Sequence, residues 1–309
     1  MEISTDHLRL MLELSRTGRL SDAASKLRVD ETTLSRRIGR LEIEVGHRLF
    51  DRGRGGWQLT EVGRRLLPYA ESIDSTLAAA SETLTSAPGS LSGTIRMLAP
   101  DGFGAYVLVP GLAVFHEANP DVYLEVSTAT SHDFLVARDF DLAVTLEKPA
   151  RHSTRTERLA EYELGLYASV DYVARHGAPQ DLAAVRSDHT IIWYVDSVLD
   201  VQPLRILDQV LPGARAKVQT NNISGHLTAA LRGLGVAPLP TYIGEDNPSL
   251  VRLLPSEFSV ERTYWLVVPK QVVQLARVQT MIEALRGLVA AQPGLRAART
   301  KATENHQSP

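Results

Sequence analysis

The chain has no cysteine, which excludes disulfides and thiolate metal sites and agrees with a reducing compartment. No apolar run is long enough to span a bilayer, and Met1-Glu2-Ile3-Ser4-Thr5-Asp6-His7 lacks the charged-then-apolar order of a secretory signal. A cytoplasmic location is expected. The nine histidines show no HExxH or other paired spacing; His132, His189 and His226 stand singly, so no metal site is expected. Gly-x-Ser-x-Gly, Walker and complete Gly-x-Gly-x-x-Gly patterns are missing, and Gly102-Phe103-Gly104 and Gly233-Leu234-Gly235 read as turn and packing glycines. Nothing points to catalytic residues, a cofactor or an enzyme.

What remains is 309 residues, enough for two or three domains. The formal net charge is −3, but residues 1–65 carry 13 Lys and Arg against 10 Asp and Glu, while the rest carries 20 against 26. A split of this size is common. Its placement says more, because the arginines cluster in one stretch.

That stretch runs from residue 18 to 60. Ser21 is suited to cap a helix whose next turn holds small Ala23 and Ala24, with Leu27 closing a helix-helix contact. After a tight break at Leu27-Arg28-Val29-Asp30, Asp30 caps a second helix in which Leu34, Ile38, Leu41 and Val45 recur at helical spacing. The opposite face carries Thr32, Thr33, Ser35, Arg36, Arg37 and Arg40. Short polar residues at the start and arginines further along suit a helix that meets base edges and phosphates in the major groove. Leu49 to Thr60 then places two apolar runs around a Gly and Arg tip, a hairpin wing that would lay Arg52 and Arg54 along a DNA backbone.

From Thr60 a helix is expected, with Leu66, Ala70, Ile73, Leu77, Ala80 and Leu84 in a heptad pattern. Such a seam serves a partner subunit, or lies on the helix's own domain. Ala87-Pro88-Gly89-Ser90 ends it. Strands and helices then alternate: strands at 94–99, 122–128, 141–145, 163–168, 190–194, 217–220, 236–239 and 264–268, and helices at 103–117 with a restart at Pro110, 131–138, 170–175, 224–234 and 274–291. This pattern reads as a two-lobed α/β unit crossed twice, near residues 162 and 266. By itself this half would suit a solute-binding protein, or an enzyme working in a cleft.

Ala23-Ala24, Leu27, Leu34-Ser35-Arg36, Ile38, Leu41-Glu42, Gly46, Leu49-Phe50, Arg52, Gln58-Leu59-Thr60 and Gly63 together resemble the N-terminal domain of the LysR-type transcriptional regulators. Phe115-x-x-x-Asn119-Pro120-Asp121-Val122, Phe140 to Val144 and Gly233 to Pro240 resemble the family's effector-binding domain. The resemblance covers residues 5 to 290. It implies an α/β chain: a winged helix-turn-helix over 1–60, a dimerising linker helix over 61–86 and a hinge loop over 87–93. An effector domain over 94–293 would follow, like the periplasmic solute-binding proteins, with lobe I over 94–162 and 267–293 and lobe II over 163–266. Residues 294–309, polar and aperiodic, read as a disordered tail. The implied partners are double-stranded DNA with an interrupted palindrome, a second copy in a homodimer or homotetramer, RNA polymerase, and a small-molecule effector held between the lobes.

One departure stands out, Glu31-Thr32 where the family commonly has Gln-Pro; Glu31 could accept from a cytosine amine. Ligands of open α/β lobes lie beyond the carboxyl ends of strands. That rule selects Asp101, Gly102, Phe103, Thr130, Ser131, Thr145, Trp193, Tyr194, Asn221, Asn222 and Ile223 as effector contacts. For Asp101, Ser131 and Asn222 the competing role is helix capping, and for Trp193 and Tyr194 it is core packing. A carboxylate at Asp101 disfavours a simple anionic ligand.

Overall fold

A computed structural model describes residues 3–53, 56–85, 91–128, 140–149, 154–195 and 201–298. Two compact units divide the chain, residues 1–87 with 269–275 and residues 88–268 with 276–309.

The first unit contains α1 (Thr5–Thr17), α2 (Leu20–Leu27), α3 (Glu31–Val45), β1 (Phe50–Gly53), β2 (Gly56–Leu59) and α4 (Glu61–Thr85). The apolar stripe of α3 decides its packing: Leu34, Ile38 and Leu41 are buried against Ala23 and Ala24 of α2 and Met11 and Leu14 of α1. Alanines at the α2 contact let the helix backbones approach closely. Between α2 and α3, Arg28 takes the left-handed conformation at φ 55°, and the amides of Arg28 and Val29 bond back to the Ser25 and Ala24 carbonyls. Asp30 caps α3 by accepting from the Thr33 amide. Ser21, expected as the cap of α2, lies instead inside its first turn with its hydroxyl on Asp22, and Arg19 holds the capping position. The helix thus starts two residues earlier than a Ser21 cap would place it.

β1 and β2 pair in antiparallel register from Phe50↔Leu59 to Gly53↔Gly56, with Phe50 and Trp57 edge to face at 5.8 Å. The Trp57 amide donates to the carbonyl of Gly18, tying the wing to the end of α1. Thr60 turns the chain into α4, its hydroxyl accepting from the Gly63 amide and donating to the Arg48 carbonyl. At Gly63 the approach is so close that a Cβ would lie 2.3 Å from the Leu49 carbonyl oxygen.

The expected dimer seam on α4 is corrected in part. Ala70 is 1% exposed, and Leu66 and Ile73 pack against the same core, so these three serve their own unit. Asp74 pairs with Arg9 and Arg16 of α1 along this face. Heptad spacing defines a stripe without saying which helix covers it. Tyr69, Leu77 and Ala80 are exposed, whereas the side chain of Leu84 lies outside the described residues.

In the second unit come β3 (Gly93–Ala99), α5 (Asp101–Phe103), a π-helical turn (Gly104–Leu108), α6 (Val109–Ala118), β4 (Val122–Thr128), β5 (Leu142–Thr145) and β6 (Thr154–Ser169). They are followed by α7 (Val170–His176), α8 (Leu182–Asp188), β7 (Ile192–Tyr194), a 3-10 turn (Gln202–Leu204), α9 (Leu207–Val210), β8 (Val218–Thr220) and α10 (Ile223–Leu231). The last elements are β9 (Ala237–Pro240), α11 (Thr241–Gly244), β10 (Leu250–Leu253), β11 (Val260–Pro269), α12 (Ala276–Ala291) and β12 (Leu295–Ala297). Pro110 stands in the first turn of α6, where the π-helical turn over Gly104–Leu108 passes into α-helix. The helix expected over 131–138 lies outside the described residues.

Among the described residues one sheet runs β10-β6-β11-β5-β3-β4, with β9 and β12 also on β6, and β7 pairs β8 separately. β3 is parallel to β4 and β5, whereas β6 is antiparallel to β9, β10 and β12. Strand β6 begins nine residues before the expected Glu163; residues 154–158, exposed or half-buried, carry no apolar run to announce it. β6 and β11 therefore pass unbroken through the two positions where the lobes were expected to divide. The tail expected over 294–309 is corrected at its start: Leu295 is buried and Leu295–Ala297 pairs with Tyr162, Glu161 and Ala160 of β6.

Gly63→Ala is expected to lower the unfolding free energy by about 1–3 kcal/mol, because the new methyl would meet the Leu49 carbonyl oxygen at 2.3 Å, which as backbone cannot swing aside as the Leu59 side chain, 2.9 Å away, can. Gly39→Ala, where nothing lies within 4 Å of the added Cβ, should be neutral or gain up to about 1 kcal/mol of helix propensity. Urea denaturation of both variants checks the pair, and equal effects would contradict the close approach at Gly63.

Candidate nucleic-acid interface and effector site

The outward face of α3 starts at Asp30. Its carboxylate accepts from the Thr33 amide at 2.7 Å and the Thr32 hydroxyl at 2.5 Å, and these bonds hold its pKa well below the usual carboxylate range. Thr32 therefore turns its hydroxyl proton toward its own cap. Glu31, Thr32, Arg36, Arg37 and Arg40 are exposed, and Thr33 and Ser35 half-buried. Arg40 lies 3.7 Å from Glu44, whereas Arg36 and Arg37 have no ion-pair partner among the described residues.

Arg52 is engaged within the unit. Its guanidinium lies 3.3 Å from Glu42 and 4.3 Å from the centre of the Trp57 ring, so it braces the wing against α3 while half its side chain stays exposed. Glu42 is the joint that sequence reasoning missed: its Oε1 accepts from the amides of Leu49 and Phe50 at 2.8 and 3.1 Å. A glutamate on the half-buried edge of a helix, eight residues before a strand, was the available signal. Ser21 sits on α2, exposed, and Arg54 lies outside the described residues.

In the second unit, the segment after β3 meets the start of α10. Asp101 Oδ2 accepts from both the Ser224 amide and the Ser224 hydroxyl at 2.8 Å, and the Tyr106 hydroxyl donates to the same serine at 3.4 Å. Asn222 caps α10 by accepting from the Gly225 amide, and its own amide donates to Asn221. Two of the donors at this helix start are thus answered by the chain's own acceptors. Gly102 fits here because a Cβ would stand 3.3 Å from the Tyr242 hydroxyl and 3.5 Å from Ile223. Phe103 is buried edge to face on Tyr264 at 5.0 Å.

Behind these residues lies a tyrosine cluster that was not foreseen. Tyr162 of β6 stacks on Tyr264 of β11 at 4.3 Å, and the hydroxyls of Tyr264 and Tyr242 are 2.8 Å apart. Burial pushes the phenols of Tyr162, Tyr194, Tyr242 and Tyr264 up, so they remain protonated donors at neutral pH. Tyr162 and Tyr264 lie in strands and read as ordinary β formers, which is why sequence alone passed over them.

Trp193 and Tyr194 are buried, and Tyr194 meets the ring of His226 edge to face at 4.4 Å. Burial lowers the His226 pKa to about 4, against upward pulls from the Trp193 and Pro238 backbone and from Asp101. Thr145 ends β5 with its hydroxyl donating to the Glu147 carbonyl. Thr130 and Ser131 lie outside the described residues. Among the described residues no group of three or more His, Asp or Glu could hold a metal, and no helix is long and apolar enough to cross a membrane.

Two family models match the two units. Residues 5–64 match the bacterial regulatory helix-turn-helix protein of the lysR family, and residues 88–290 match the LysR substrate binding domain. The chain belongs to the LysR family of transcriptional regulators. It is 26% identical to the Mau operon transcriptional activator of Paracoccus denitrificans over 262 residues, 85% of this chain and 88% of that one. The fold is that of two solved structures, the first a LysR-type transcriptional regulator. CrgA from Neisseria meningitidis superposes with a TM-score of 0.57 at 20% identity, over 93% of this chain and 99% of that one. ArgP from Mycobacterium tuberculosis reaches 0.62 at 20% identity, over 94% and 99%. In this LysR chain α3 accordingly lies within the helix-turn-helix segment, and the second unit holds the substrate-binding domain.

Two outcomes are expected from this domain. Asp101→Ala removes the acceptor of two hydrogen bonds at the α10 terminus and should lower stability by about 1.5–3 kcal/mol, with Asp101→Asn milder; urea titration followed by tryptophan fluorescence measures it, and an unchanged midpoint would mean the bridge has no energetic weight. His226 is neutral when folded. Its contribution is complete above its ordinary pKa of 6.5 and is lost as pH falls towards about 4. His226→Phe should therefore flatten the loss of melting temperature between those two pH values, and an identical slope in both proteins would exclude His226 as its source.

Proposed function

We propose that this regulator grips an interrupted palindromic operator with two copies of α3 and its wing, and that a small molecule received between the lobes alters that grip. One observation carries the DNA half of the reading, the contrast across α3. Leu34, Ile38 and Leu41 are buried on one side, while Arg36 and Arg37 stand exposed and without ion-pair partners among the described residues on the other. Cations with no internal partner suit phosphates or guanine edges, with Thr33, Ser35 and Arg40 flanking them.

An operator of two half-sites needs two recognition helices. Tyr69, 68% exposed, and Leu77, 44% exposed, supply with Ala80 an apolar strip on α4 for a second copy, and pairs of dimers would complete a homotetramer. The effector acts by binding one arrangement of that assembly better than another, since only differential affinity moves such an equilibrium. Asp101, Gly102, Ile223 and Ser224 are its nearest candidates for contact. The protein is read as cytoplasmic, without catalytic activity or a resident cofactor, and with RNA polymerase as its further partner at the promoter.

Counterion release gives the test. Affinity for duplex from the chain's own upstream region should fall steeply as salt rises from about 50 to 200 mM, and Arg36→Ala should reduce the slope of log K against log salt by about one unit. Fluorescence anisotropy reads both. Binding and slope left untouched by Arg36→Ala would assign the contact to another surface.

A further inference from the structure

We propose that Glu31 is a specificity-determining residue that demands a C·G base pair in each operator half-site, its carboxylate accepting a hydrogen bond from cytosine N4 in the major groove. The proposal rests on α3 being the helix that enters DNA, and goes beyond it by naming one base.

Glu31 is the first residue of α3, where a recognition helix meets base edges. It is exposed, and among the described residues it has neither an ion-pair nor a hydrogen-bond partner. Its neighbours narrow what this end can do. Asp30 is a fixed anion, committed to the Thr33 amide and the Thr32 hydroxyl. Thr32 has thereby directed its only side-chain proton inward, leaving a methyl group and an acceptor oxygen outward. The first turn of α3 consequently offers acceptors and an apolar methyl. Two adjacent carboxylates there repel a phosphate, so the helix start must face bases, while Arg36 and Arg37 one turn later hold the backbone charge.

The edges of the bases then select. Guanine presents O6 and N7 and thymine presents O4, all acceptors that repel a carboxylate. Adenine has the N6 amine, but its N7 acceptor lies beside it. Cytosine alone offers the N4 amine with no acceptor on its own major-groove edge. A negative charge carried towards a polyanion weakens binding to every sequence, and the N4 contact returns that loss only where cytosine stands. Discrimination is the consequence.

The test is selection of binding sites from a randomised duplex library with the full-length wild type, Glu31→Gln and Glu31→Ala. The wild type should return a symmetry-related cytosine, and changing it to thymine should weaken binding about tenfold or more. Glu31→Gln should move the preference at that position alone to adenine, whose N6 and N7 suit a carboxamide, and Glu31→Ala should erase it. Both variants should bind random duplex more tightly than the wild type. A cytosine analogue without the exocyclic amine should cost the wild type as much as thymine does. Identical motifs from the wild type and Glu31→Gln would overturn the proposal and leave the regulator reading intact. A wild type that returned no motif would overturn both.

Discussion

A glutamate that accepts two backbone amides sets the geometry on which the DNA-binding unit depends. Glu42 lies on α3, yet its Oε1 holds the first amides of the wing and its Oε2 holds Arg52. The helix and the hairpin consequently meet at a fixed angle. Without that joint, buried Leu34, Ile38 and Leu41 would still seat α3 on α1 and α2, but β1 would enter with unanswered donors. The carboxylate also recruits a cation, and Arg52 then covers the face of Trp57, so one acidic side chain organises helix, strand and aromatic packing.

The same device recurs in each unit. Asp30 answers an amide and a hydroxyl at the start of α3, and Asp101 does the same at the start of α10. Each places negative charge where exposed backbone N–H groups and the helix dipole favour it. The outcomes differ with the neighbours. Beside Asp30 the chain offers an unpartnered glutamate and then arginines, which is a surface for a polyanion with discriminating bases. Around Asp101 it offers buried tyrosines and a neutral histidine, an interior in which a second anion would meet the first.

Local chemistry was legible wherever it followed from a few neighbouring residues. Asp30 as a cap, the α3 stripe, the wing around its glycines, the restart at Pro110 and the strand over 122–128 depend on spacing and on backbone preference alone. Legibility failed where a distant partner decides. The stripe Leu66-Ala70-Ile73 could serve a second chain or its own, and only the position of α1 chooses. The first half of β6 is polar enough to pass for a loop because its pairing with β11 and β12 supplies what its side chains do not. Leu295–Ala297 is too short to announce itself before β6 is there to receive it. At the candidate sites, Asp101 and Ile223 were found by the rule for strand ends, while Ser224 and the tyrosines became visible only when segments more than a hundred residues apart came together.

The two crossings between the lobes are strands hydrogen-bonded into one sheet, not loops. Flexible connectors would let the halves swing apart like a door, exchanging protein contacts for water at small cost. Laddered strands resist that, and yield instead by twisting about their own length. Any rearrangement of one lobe against the other must therefore strain the ladder of β6 and β11, a stiffer joint than a pair of loops would make.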